Sequence, residues 1–157
     1  MRIRLVLVLV VVLVAFAAAG TVVALWGGGP HREGVITESL ADLAVGEAKE
    51  ITVELPNERH TEARVFLART DDRAVHAYLA KSTHLGCRLL LPRDATFTIT
   101  SRRSYFEDPC GGSVYSFDGR CTGGPCPRDL DSYAVKVRDE HAEIDLRELI
   151  RGSARGA

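Results

Sequence analysis

The chain opens on an unbroken apolar run and then changes character. Residues 5–26 form a stretch of 22 without a charged side chain. At 1.5 Å per residue a helix of that length crosses the hydrocarbon core of a bilayer. From Pro30 onward, apolar and polar positions alternate in short bursts. Ile51, Val53 and Leu55 alternate within residues 49–55, Val65 and Leu67 within 63–69, and Val75, Ala77 and Leu79 within 74–79. Shorter bursts at 88–91, 96–100 and 114–117, then longer ones at 133–138 and 142–146, continue the rhythm. Pro56-Asn57, Asp71-Asp72, Pro92-Arg93-Asp94, Asp118-Gly119 and Asp139-Glu140-His141 punctuate it with turn residues. A period of two marks half-buried strands, and many short strands at close spacing predict an all-β sandwich or barrel. One short helix is expected at residues 146–151, and residues 152–157 read as a flexible, solvated tail.

This pattern divides the chain into an N-terminal transmembrane anchor with a Gly-rich hinge (1–29), one folded domain (30–151) and the tail (152–157). Arg2 and Arg4 precede the apolar run and no basic cluster follows it closely. Positive charge stays in the cytoplasm, so the domain is expected on the extracytoplasmic face of the cell membrane, held by a single span. A cleaved signal peptide is the alternative, because Ala17-Ala18-Ala19 satisfies the small-residue rule. The run continues through residues 21–26, past the roughly 7–15 apolar residues a signal needs, and Trp26 sits where an interfacial aromatic belongs. Either route exports the domain.

Length and charge narrow the picture further. With 157 residues the chain has room for one ordinary domain beyond the anchor. Twenty basic against 21 acidic side chains leave a net charge of −1, so nothing drives binding to nucleic acid. Cys87, Cys110, Cys121 and Cys126 meet an oxidising compartment. Four cysteines allow three full pairings, and arithmetic does not choose among them.

Two segments stand out as chemistry. One is Ser82-Thr83-His84-Leu85-Gly86-Cys87; the other is Asp108-Pro109-Cys110-Gly111-Gly112-Ser113-Val114-Tyr115. Gly119-Arg120 and Gly124-Pro125-Cys126-Pro127 follow. Their order resembles the Rieske iron–sulfur domain, which carries Cys-x-His-x-Gly-Cys, Cys-Pro-Cys-His-Gly-Ser, a Gly-Arg turn and a Gly-Pro-x-Pro loop. With the anchor, the arrangement is similar to the Rieske subunit of quinol–cytochrome c reductases. The resemblance implies an antiparallel β-sandwich with cluster-binding-type loops at one tip. It also implies a disulfide between Cys87 and Cys110. Ser113 and Tyr115 fall at positions that donate hydrogen bonds to cluster or thiolate sulfur. Cys121 and Cys126 replace ordinary residues of the proline loop, and their closeness in sequence suits a second, local disulfide.

The ligand set departs from the family. A Rieske cluster takes two thiolates on one iron and two imidazoles on the other. His84 holds the first imidazole position, while Ser82, Asp108 and Gly111 occupy the other three. The expectation is a domain with no cofactor, serving as a structural or docking subunit of a membrane respiratory or electron-transfer complex, with the other subunits as partners. Arg2 and Arg4 are not a twin-arginine pair, which agrees with export of an apoprotein. One alternative is a working [2Fe–2S] electron carrier with unusual ligation, a subunit of a quinol-oxidising oxidoreductase. Another is an envelope protein that holds a divalent metal through His84 and Asp108, two ligands where three or four are usual. Ser82, His84 and Asp108 also invite comparison with an acyl-transfer triad, but no oxyanion-hole motif accompanies them.

Overall fold

The computed structural model describes residues 33–56, 61–91 and 105–155. The anchor, residues 96–100 and the last two residues lie outside that set. The described chain is all-β, with nine strands and no helix: β1 (Val35–Ser39), β2 (Ala48–Glu54), β3 (Glu62–Arg69), β4 (Val75–Leu79), β5 (Phe106–Glu107), β6 (Val114–Tyr115), β7 (Cys121–Gly123), β8 (Ser132–Arg138) and β9 (His141–Ile150). They build a six-stranded sheet in the order β1-β9-β8-β4-β3-β2 and a three-stranded sheet in the order β5-β6-β7. Every pairing is antiparallel.

The alternation in sequence becomes two buried faces. Val53, Val65, Leu67, Val75, Ala77, Tyr133, Ala142, Ile144 and Leu146 form one core, which Leu40 and Leu43 join from the loop after β1. All six strands of the large sheet contribute to this core, β1 through the half-buried Ile36. Just outside the sheet's two edge strands, Gly34 before β1 and Pro56 after β2 approach each other, the Cβ position of Gly34 lying 3.0 Å from Pro56 Cγ. On the other face, Phe66, Ala68, Tyr78 and Ala80 pack against Phe106, Tyr115, Cys126 and Leu130 of the small sheet and its loops. Phe66 and Phe106 stack at 4.9 Å between ring centres, and Tyr78 meets Phe106 edge-on at 5.9 Å. β3 is therefore covered on both sides, which is why Val65-Phe66-Leu67-Ala68 reads as a continuous apolar run.

Two expectations are corrected. The helix placed at residues 146–151 is instead the second half of β9, whose ladder runs from Arg138↔His141 to Ser132↔Ile150. Across a register shift in that ladder Ile150 still pairs with Ser132, and Leu146 N donates to Gly34 O at 2.7 Å, so these backbone groups bond across the sheet and not within a helical turn. The segment from Gly152 is exposed but not free. Asp129 N donates to Ser153 O at 2.9 Å, Arg155 N to Pro127 O at 3.0 Å, and Gly152 N to Asp131 Oδ1 at 3.0 Å. The turn between β8 and β9 is as expected, with Asp139 and Glu140 both at positive φ (46° and 60°), the conformation of a two-residue type I′ hairpin.

Candidate functional site

Three loops meet at the edge of the small sheet. The first, Ser82 to Cys87, leaves β4 and turns back on itself through Ser82 N→Cys87 O (2.8 Å) and Gly86 N→Ser82 O (3.1 Å). The second, Asp108 to Ser113, joins β5 to β6 and is closed by Asp108 N→Ser113 O (2.8 Å) and Gly112 N→Asp108 O (2.9 Å). The third, Gly124 to Arg128, follows β7. Disulfide bonds Cys87–Cys110 and Cys121–Cys126 are both present, with Cα separations of 6.3 and 6.1 Å. The first joins loop one to loop two. The second closes loop three back onto the first residue of β7. Gly124 seats loop three on loop two. Its φ of +74° suits glycine, and it lies so close to Gly112 O that no Cβ fits.

The residues singled out from the sequence come together here, bonded mainly to one another. Ser82 Oγ donates to Asp108 Oδ2 at 2.6 Å. Asp108 Oδ1 accepts Cys110 N at 2.9 Å and Gly111 N at 3.1 Å. Ser82 and Asp108 are buried, at 4% and 3% exposure. Burial is the largest single influence on the Asp108 carboxyl and pushes its pKa up. The Ser82 hydroxyl, the Gly111 and Cys110 amides and the nearby His84 together outweigh it, so the group sits below the usual carboxylate range. Since the Ser82 proton goes to Asp108, it is not aimed at an imidazole base, and the acyl-transfer arrangement is absent.

Tyr115 anchors the other side of loop one. Thr83 N donates to Tyr115 Oη at 3.0 Å, and Thr83 Oγ1 donates to Arg128 O at 2.8 Å. The Thr83 hydroxyl has only one proton, so the 2.9 Å contact between Thr83 Oγ1 and Tyr115 Oη is donated by tyrosine. That commits the Tyr115 proton. The 3.4 Å approach of Ser82 Oγ to Tyr115 Oη then has no hydrogen to share. Thr83 thus ties loop one to both the small sheet and loop three. Nothing in its sequence context marked it. Arg128 in turn grips Asp131 through two bonds of 3.0 and 2.8 Å, fixing loop three to the strand that follows. An opposite-charge pair three residues apart, directly after Pro127, was the available signal for that clamp.

His84 is exposed, and its Nδ1 lies 2.7 Å from the Cβ position of Gly111; Asp108 Oδ2 lies 2.9 Å from the same point. Ser113 is fully buried, and its Oγ and Arg69 Nε are the buried side-chain polar atoms without a hydrogen-bond partner among the described residues. A hydroxyl of that kind would suit an acceptor such as a cluster sulfur. The donor set does not. Position 111 has no ligand atom, the space beside it is flanked by His84 and Asp108, and Ser82 is engaged with Asp108. The residues present do not fit a [2Fe–2S] cluster held in the Rieske manner.

Comparison with known proteins adds no family assignment. No protein-family model matches the chain, and no curated protein matches it either.

Proposed function

We propose that this chain is a Rieske-like domain that has lost its cluster and works as a membrane-tethered structural or docking subunit of an electron-transfer complex. The observation that carries the reading is the 2.6 Å hydrogen bond from Ser82 to Asp108. These residues occupy the two positions at which the family places its thiolates, and here they satisfy each other. The disulfide between Cys87 and Cys110 and the bonded ring of Ser82, Thr83, Asp108 and Tyr115 support the same reading. They hold the loops in register without iron. Beyond them the tip offers shape and apolar surface: Leu85 is 63% exposed, and Pro109 and Pro125 are exposed on the adjoining loops. A large apolar side chain at the apex of rigid loops suits a protein partner.

The test is iron and acid-labile sulfide per chain, with low-temperature EPR after reduction, on the full chain purified in detergent. The expected result is a folded, colourless protein with neither. About two irons and two sulfides with a Rieske-type signal would establish the carrier with unusual ligation instead. A gain-of-function variant tests the family reading itself. Ser82→Cys, Asp108→Cys and Gly111→His, combined with the native His84, restore all four ligand types. The combined variant is expected to acquire a Rieske-type EPR signal when matured with iron and sulfide. Failure to do so in a folded protein would sink the family reading.

A further inference from the structure

The Cys87–Cys110 disulfide sits beside two other metal-binding side chains. Cys87 Sγ, Cys110 Sγ and an Asp108 carboxylate oxygen all lie within 4.8 Å of one another. Ligand atoms around a tetrahedral zinc-type ion stand about 3.3–3.8 Å apart, given bonds of about 2.0–2.3 Å, so the carboxylate oxygen needs to close on the sulfurs by only about an ångström, while the two sulfurs, once reduced, move apart from bonding distance. His84 Nδ1 and Asp108 Oδ2 flank the space that Gly111 leaves open, 2.7 and 2.9 Å from its Cβ position. Three donors are thus already gathered, Cys87 from loop one and Asp108 and Cys110 from loop two; the exposed His84 ring of loop one lies outside that group and must swing in as the fourth. While the sulfurs are bonded to each other, only the imidazole and the carboxylate are available.

We infer that reducing Cys87–Cys110 opens a four-ligand site for a zinc-type divalent ion at the loop tip, built from both cysteines, Asp108 and His84. The reductant is a dithiol. It breaks the protein's S–S bond, transfers two hydrogens to the two sulfurs and closes its own disulfide. The ion then displaces the two thiol protons to solvent. Exposed Cys110 and half-buried Cys87 admit the dithiol, and exposed His84 leaves an entry path for the ion. Asp108 is already aimed. Its Oδ1 is held by the Cys110 and Gly111 amides and its Oδ2 by Ser82, the outer support that orients a ligating carboxylate. Two sulfurs, one imidazole and one carboxylate oxygen suit zinc and cobalt, and they disfavour calcium or magnesium, which take oxygen donors. The inference rests on this geometry and not on the docking reading.

The experiment titrates Co(II) into the full chain in detergent, once oxidised and once reduced with dithiothreitol and desalted without oxygen. One Co(II) per reduced chain is expected, with thiolate-to-cobalt charge transfer and tetrahedral visible bands. Zn(II) should displace it, and the oxidised chain should show neither band. His84→Ala alters an exposed ring and is expected to weaken binding at least about 10-fold, as is Ser82→Ala acting through Asp108. Cys121→Ser with Cys126→Ser should leave the bands in place. A reduced chain that loses its β-sheet circular dichroism and regains it with Zn(II) supports the site equally. The proposal is overturned if the reduced chain gives no charge-transfer band, if the band survives Cys87→Ser with Cys110→Ser, or if it depends on Cys121 and Cys126.

Discussion

Ser113 and Tyr115 show how much of the tip is decided by single hydrogen atoms. The buried Ser113 hydroxyl has no hydrogen-bond partner among the described residues. Burying a hydroxyl unpaired costs about 1–3 kcal/mol. Ser113→Ala is therefore expected to raise stability, by about 1 kcal/mol in denaturant unfolding. A loss of stability would show that the hydroxyl has an acceptor. Tyr115 behaves in the opposite way. Its hydroxyl accepts from Thr83 N and donates to Thr83 Oγ1. Tyr115→Phe deprives both Thr83 groups of that partner in a buried setting, at a cost of about 1–3 kcal/mol. The pair of substitutions tests the proton assignment directly, since each removes one hydroxyl from the same core and only one should destabilise.

The two cross-links act at the level of whole loops. In the chain-entropy model, closing the 23-residue separation of Cys87–Cys110 is worth about 3 kcal/mol and the 5-residue separation of Cys121–Cys126 about 2 kcal/mol. Cys87→Ser with Cys110→Ser should thus lower the urea midpoint more than the double serine variant of Cys121 and Cys126, and equal losses would show that loop three carries more of the tip than its length suggests. What could be read in the sequence at this scale follows from how each strand is buried. β2 and β8 announce themselves because one face of each meets the core and the alternation survives, while β3, covered on both sides, announces itself as a short apolar run. β5 and β7 span two and three residues, too few for a period to show. The end of β9 misleads because its last four residues are exposed, so Leu149 and Ile150 no longer report which face is buried. At the tip, the motif order located the loops and the Cys87–Cys110 cross-link, and the closeness of Cys121 to Cys126 in sequence located the second. The Thr83 bridge and the Ser82–Asp108 bond depend on which proton faces which oxygen, and no residue spacing encodes that.

Across the molecule, the carboxylates that tie loops together set how the fold responds to acid. Asp131 is 8% exposed, and burial alone pushes its pKa up. The Arg128 guanidinium, the Gly152 amide and Arg151 outweigh that and hold it below the usual range, and Asp108 is depressed by its own donors in the same way. Asp145, on the surface of β9, is drawn down to about 2 by the Arg147 side chain and amide. A carboxyl whose pKa is depressed on folding contributes stability that is complete above its unfolded value of about 3.9 and lost as pH falls through the folded one. The melting temperature should therefore be nearly flat with pH from neutrality to about 5 and fall steeply below about 4. Asp108→Asn with Asp131→Asn removes two of the groups that take up protons on unfolding. That variant should be less stable at pH 7, because Arg128 and Ser82 lose an ionised acceptor. Its stability should also change less between pH 5 and pH 2 than that of the parent chain. Circular dichroism melts across that range separate the two effects. An unchanged acid slope would mean that the loop carboxylates keep ordinary pKa values in the folded state and that acid acts on the molecule elsewhere.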